Sequence, residues 1–169
     1  PATSYKVVFK ANLLIEIGWK DENFLEGWKL WPSDMTFESD GKILTIGYNN
    51  TSPPQLPMVR AEAKKEIHPS INVARFPFVI IRFKFKDWNT DEINKVYFTI
   101  TLYDDSGVLE ETTFYRPSNV SNWQVAFVPI KYLQNVAEIG LVTRTGPETC
   151  LYVEVDYIAI VAVGHDLSF

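Results

Sequence analysis

Along most of this chain apolar and polar residues take turns, one in and one out. Val79, Ile81, Phe83 and Phe85 interleave with Arg82, Lys84 and Lys86, and Val96, Phe98, Ile100 and Leu102 interleave with Tyr97, Thr99, Thr101 and Tyr103. Successive side chains of a strand point to opposite faces, so this period of two predicts strands with one core face and one wet face. The same reading gives a strand over 58–67, with Val59, Ala61 and Ala63 on one side and Arg60, Glu62 and Lys64 on the other. Further strands are predicted over 5–10, 12–17, 112–115, 123–127 and 137–143, and Asp40-Gly41 marks a tight hairpin between strands at 36–38 and 43–46. The longest strand is predicted over 151–163, where β-branched and aromatic residues dominate and neither Pro nor Gly intervenes.

Between these runs lie turn and loop signals. Residues 21–27 are acidic and polar, 28–37 are mixed, 49–57 hold three prolines, and 68–77, 87–94 and 117–122 are connections. Residues 129–136 are predicted as a helical turn, and no longer helix is legible. Many short strands with frequent turns predict an all-β fold: a β-sandwich of two antiparallel sheets. The expected layout is a linker remnant at 1–4, a single domain over 5–164 and a tail at 165–169.

Composition narrows the options. The 169 residues suit one domain of ordinary size. A net charge of −5 without a dense basic run argues against nucleic acid as a partner. No run of about 18 apolar residues exists, so no membrane-spanning helix is expected, and no membrane partner. The single cysteine, Cys150, rules out an intrachain disulfide. Aromatic residues make up 14% of the chain, more than a core of this size needs, so some are expected on the surface for stacking. Overlapping acceptor triplets at Asn49 and Asn50, and another at Asn119, weakly favour an extracellular location.

Four segments, in order, carry a resemblance that spans nearly the whole chain: Asp21-Glu22-Asn23-Phe24-Leu25-Glu26-Gly27-Trp28, the hairpin 40–46, Trp123 with Pro129-Ile130, and Val153-Glu154-Val155-Asp156-Tyr157-Ile158. Together they resemble the jelly-roll β-sandwich carbohydrate-binding modules appended to extracellular glycoside hydrolases. The resemblance implies a jelly roll, a polysaccharide or oligosaccharide as ligand, a tethered catalytic domain as partner, a secreted monomer, and no enzymatic activity of its own.

Asp156 is the odd residue of the last strand. A buried carboxylate without a partner costs roughly several kcal/mol, so it must be wet, paired or bound to a cation. In the modules that this chain resembles, the matching acid helps to hold a structural calcium with acids of the opening loop, which implies Asp156, Glu26, Asp21 and Asn23 as oxygen donors. The chain departs from that pattern by having Leu25 where an acid often stands, so Glu26 must substitute. The alternative is that Asp156 pairs with a cationic side chain.

Sugars present C–H faces to aromatic planes and hydroxyls to polar side chains. Tyr97 and Tyr103 share a face with two threonines, and Arg82 lies on the outward face of the preceding strand; Tyr115 and Gln124 extend this candidate surface if the strands are neighbours. Ordinary cross-strand pairing would also place Tyr and Thr there. The loop tryptophans Trp31 and Trp88 form a rival candidate, against the alternative that such residues cap the ends of the core; Trp28 and Trp123 are assigned to the core. Glycosidases need two carboxylates about 5–10 Å apart. Glu154 and Asp156 would lie about 7 Å apart by strand rise, but the third acid of the related "E-x-D-x-x-E" pattern is Ala159 here. The leading expectation is therefore a binding module that targets a tethered enzyme. A structural or assembly jelly roll of a surface or capsid protein is the alternative, and a small glycosidase or lyase the third.

Overall fold

The structure is a computed structural model that describes residues 6–19, 25–73, 77–116 and 121–168, with side chains from Asn12 to Ala162. The described residues form eleven strands: β1 (Lys6–Glu16), β2 (Trp28–Trp31), β3 (Thr36–Ser39), β4 (Leu44–Asn49), β5 (Val59–Asn72), β6 (Pro77–Trp88), β7 (Val96–Tyr103), β8 (Leu109–Tyr115), β9 (Gln124–Pro129), β10 (Asn135–Thr145) and β11 (Cys150–Ser168). One sheet has six strands in the order β3-β4-β11-β6-β9, with β1 also pairing β11; the other has five, β2-β5-β10-β7-β8. Every pairing is antiparallel. From β5 onward the chain repeatedly crosses between the sheets, as a β-sandwich requires.

The core lies between the two inner faces. β6 contributes Val79, Ile81, Phe83 and Phe85, β11 contributes Val153, Val155, Ile158 and Ile160, and these meet Val96, Phe98, Ile100 and Leu102 of β7. The alternation that predicted β6 and β7 is thus the alternation of inner and outer faces of the sheets.

Strand β11 holds the six-stranded sheet together. It pairs β6 on one side, and on the other it pairs β4 through residues 150–155 and then β1 through residues 159–168. Its register against β6 shifts between Val155 and Tyr157, which makes Asp156 the extra residue of a bulge. The odd acid of the sequence is therefore also one of the irregular points of the strand.

Several local expectations need correction. The predicted strands at 5–10 and 12–17 are one strand, β1, whose irregularity is a register shift between Leu13 and Ile15. Residues 28–31, read as mixed, form edge strand β2; four residues are too few to show a period. β5 continues through His68 to Asn72, where a connection was expected. It leaves the ladder after Glu66 and rejoins at Ile71, around Pro69, which has no N–H to give. No helical turn forms at 129–136. Instead the Glu110 carboxylate accepts the backbone N–H groups of Lys131, Tyr132 and Leu133 at 2.8, 2.7 and 3.3 Å, which fixes that segment as a loop. Trp123 is not in the core: it lies on the outside of the six-stranded sheet, 4.5 Å from the Arg82 guanidinium and 5.1 Å from Lys84 Nζ.

Candidate functional site

The register of the five-stranded sheet lays its outward residues in rows that cross the strands. One row is Arg60, Arg144, Tyr97 and Tyr115; the next is Trp31, Glu62, Val142, Thr99 and Thr113; the third is Lys29, Lys64, Gly140, Thr101 and Glu111; the fourth is Glu66, Glu138, Tyr103 and Leu109. The middle rows form a floor of small residues. Thr99, Thr101 and Val142 face outward yet are fully buried, because longer side chains from the neighbouring positions lie flat over them.

Those side chains form a connected network. Arg60 donates to Thr101 Oγ1 at 3.0 Å, and pairs with Glu62 at 3.2 Å and Glu111 at 3.3 Å. Arg144 donates to Tyr97 OH at 3.2 Å and lies 3.8 Å from the same Glu111 oxygen. The Tyr103 hydroxyl donates to Glu62 Oε2 at 2.9 Å. Gly140 permits this arrangement, since a Cβ there would come 2.4 Å from Glu62 Oε2. Aromatic rings frame the network. Tyr97 and Tyr115 lie with centroids 5.4 Å apart, Lys64 Nζ stands 4.3 Å over the Tyr103 ring, and Trp31 at the β2 edge is 65% exposed.

Electrostatics tighten the network. Burial pushes the Tyr103 hydroxyl above the usual tyrosine range, and its hydrogen bond to Glu62 pushes it further. Burial works against the Arg60 charge, but Glu62, then Tyr103 and Glu111, more than offset it, and its pKa is raised. A raised folded-state pKa contributes stability below the unfolded value and loses it as pH rises through the folded value. Tyr103 therefore contributes its full stability below the ordinary tyrosine pKa and loses it progressively as pH rises from there through its own raised value. Tyr103→Phe is expected to flatten the fall of melting temperature on the alkaline side of pH 10, measured by thermal scans of both proteins from about pH 8 to 11.

The structure brings together four of the seven residues expected to bind sugar: Tyr97, Tyr103, Tyr115 and Trp31 share this face. Arg82 and Gln124 lie on the other sheet, because β6 and β7 are consecutive in the chain but belong to different sheets. Trp88, the last residue of β6, is half-buried against the core with the Arg116 guanidinium 4.8 Å over its ring, and Trp19 is buried in the core with its Nε1 donating to Lys42 O. Arg60, Glu62, Glu111 and Arg144 were not singled out by sequence. The alternation in β5 shows that Arg60 and Glu62 face outward, but nothing local shows that β10 and β7 lie beside them.

On the opposite sheet Asp156 Oδ2 accepts from Arg82 Nη1, and Glu154 pairs with Lys84 at 3.2 Å. Of the other calcium donors expected, Glu26 is exposed in a turn, and Asp21 and Asn23 lie outside the described residues. Among the described residues no three His, Cys, Asp or Glu side chains converge on one point. Of the paired glycosylation triplets, Asn50 is 3% exposed with its amide donating to Leu56 O and Gly146 O, whereas Asn49 is exposed.

No family model matches the chain, and no curated protein matches it in sequence. Solved structures do match. A mutant of a family 29 carbohydrate binding module superposes with a TM-score of 0.54 at 10% identity, covering 92% of this chain and 92% of the module. A module of the same family complexed with cellulohexaose gives 0.54 at 10% identity, over 92% and 91%. An agarase gives 0.60 at 8% identity, over 90% of this chain but 24% of the agarase. At such identities the likeness is one of fold: the chain is a β-sandwich similar to carbohydrate binding modules.

Proposed function

We propose that the chain is a non-catalytic carbohydrate-binding module whose ligand is a polysaccharide laid across the outer face of the five-stranded sheet. The observation that carries this is the placement of aromatic rings, with Trp31 and Tyr115 exposed, around a hydrogen-bonded network of arginines and glutamates on one continuous face. Rings of Trp31, Tyr97, Tyr115 and Tyr103 offer stacking planes for sugar C–H groups. Guanidinium N–H groups of Arg60 and Arg144 donate to hydroxyls, and Glu62 and Glu111 accept from them. The layer is held in place before any ligand arrives, so little side-chain entropy is lost on binding. Five strands about 4.8 Å apart make a platform roughly 19 Å across, which suits a chain of sugars rather than one. Similarity to modules of family 29, one of them complexed with cellulohexaose, supports the reading.

Such a module works in a secreted, extracellular protein as a monomer that raises the local concentration of substrate for a tethered glycoside hydrolase. Glu154 and Asp156 have no catalytic part in this reading, because each carboxylate is already neutralised by a cation. A structural calcium belongs to the same proposal. It would rest on Asp156 Oδ1, which is buried and has no hydrogen-bond partner among the described residues, with Glu26, Asp21 and Asn23 as the other donors. EDTA is then expected to lower the melting temperature; an unchanged value assigns Asp156 to Arg82 alone.

Affinity gels containing glucans, xylans or mannans, followed by calorimetry, test the central reading. Tyr97→Ala and Trp31→Ala are each expected to weaken binding on the order of tenfold. No retardation across a broad panel would sink it. The assembly reading has one observation in its favour: Leu13, Val125 and Phe127, on the outside of the six-stranded sheet, are 57%, 55% and 66% exposed. Light scattering separates the two, since stable oligomers without glycan binding would favour assembly.

A further inference from the structure

We infer that the glycan bound on this face carries negative charge, and that its acidic groups are read at the β2 edge by Lys29 and Lys64. The inference rests on the carbohydrate-binding reading above and specifies its substrate class. A groove of about 250 Å³ opens there, lined by Lys29, Leu30, Trp31, Arg60, Glu62 and Lys64. Three cations and one carboxylate line it, in a chain whose net charge is −5. The local sign is thus opposite to that of the whole protein.

The register sharpens this. Lys29 and Lys64 are direct cross-strand partners. Like charges directly opposite are destabilising. The same face contains a second such pair, Arg60 opposite Arg144, but there Glu111 lies between them, 3.3 Å from one and 3.8 Å from the other. No carboxylate serves that purpose for the lysines: among the described residues neither has an ion pair. Lys64 rests on the Tyr103 ring, and the Glu62 carboxylate beside it lies over Gly140, already engaged by Arg60 and by the Tyr103 hydroxyl. A repulsion tolerated beside a groove, next to a tryptophan that is 65% exposed, is relieved by an incoming anion. Lysine on an edge strand also discourages sheet-to-sheet association, but that role needs neither a second lysine opposite nor an exposed indole. The chemistry fits a sugar ring stacked on Trp31 whose carboxylate or sulfate ester lies between the two ammonium groups.

The test is affinity electrophoresis of the full chain on two matched pairs of polymers: polygalacturonate against its methyl ester, and a sulfated galactan against its desulfated form. The charged member of at least one pair is expected to bind on the order of tenfold more tightly, and the responding pair identifies the group. The gain is expected to vanish by about 0.5 M NaCl. Lys29→Gln should narrow the charged-to-neutral ratio and Lys29→Glu should abolish or invert it, with melting temperatures confirming that both variants fold. Equal binding within both pairs would overturn the inference while leaving the carbohydrate reading intact. Absence of binding to all four polymers would overturn the inference, and the carbohydrate reading with it only if glucans, xylans and mannans are not bound either. A charge preference untouched by Lys29→Glu, or equally tight retention of a single-stranded oligonucleotide, would also overturn it, the latter in favour of a general polyanion surface.

Discussion

Phe83→Ala is expected to destabilise the sandwich by about 3–5 kcal/mol. Phe83 is fully buried in the middle of β6, and its ring lies 5.3 Å from Phe98 of β7, 4.9 Å from Phe114 of β8 and 5.8 Å from Phe85 of its own strand. It therefore packs one sheet against the other rather than merely filling its own layer. Truncation removes the transfer energy of a whole ring and leaves a cavity that two hydrogen-bonded sheets cannot collapse to fill. Domains of this kind are stable by only about 5–15 kcal/mol, so the loss is a large fraction of the total. Urea denaturation should show a lower midpoint at unchanged slope. Phe114→Ala, at a half-buried position on the β8 edge, should cost less. Equal costs would mean that the core is not centred on Phe83.

Arg60→Ala is expected to have the largest effect on the candidate site. Arg60 is the hub of the surface layer, joining Glu62, Glu111 and Thr101. Its removal leaves the Glu62 carboxylate, whose side chain is 13% exposed, without its cation. The expected cost to folding is about 1–2 kcal/mol, since the pair is partly screened by solvent. Binding should suffer more, at least about tenfold, because Glu62 and Glu111 repel once the guanidinium between them is gone and the platform loses its flatness. Arg60→Lys keeps the charge but cannot bridge both carboxylates with a planar fork, so it should rescue stability better than binding. Calorimetric titration and a thermal scan of the two variants separate these effects.

Much of this fold is legible in the sequence because a sandwich writes its core and solvent faces into a period of two. The alternation of Val79, Ile81, Phe83 and Phe85, and of Val96, Phe98, Ile100 and Leu102, is enough to place both strands and their inner faces. What the alternation does not carry is which strand lies beside which. β6 and β7 follow each other in the chain, and it was natural to set Arg82 beside Tyr97; they belong to different sheets, so Arg82 and Gln124 lie across the sandwich from the tyrosines. The partners of Tyr97 and Tyr103 come instead from β5 and β10, distant in sequence, and Arg144, Glu62 and Arg60 reach them only through long-range register. Trp31 is legible as an indole in polar surroundings, but Trp88 looks the same in sequence and packs against the core at the end of β6. Asp156 was visible as a misplaced acid; that a bulge sets it beside Arg82 depends on a one-residue slip that no periodicity reports.

On the proposed reading the outer face of the five-stranded sheet, and not the opposite one, is the glycan surface. Chemical-shift mapping of the isotopically labelled chain during titration with an oligosaccharide drawn from the polymers that retard it on gels tests this most directly. Shifted amides are expected to cluster on β2, β5, β10, β7 and β8, with Trp31 Nε1 moving with them, while the Trp123 indole and the amides of β6 and β9 stay still. Shifts concentrated around Trp123, Arg82 and Gln124, or no shifts at saturating oligosaccharide, would contradict it.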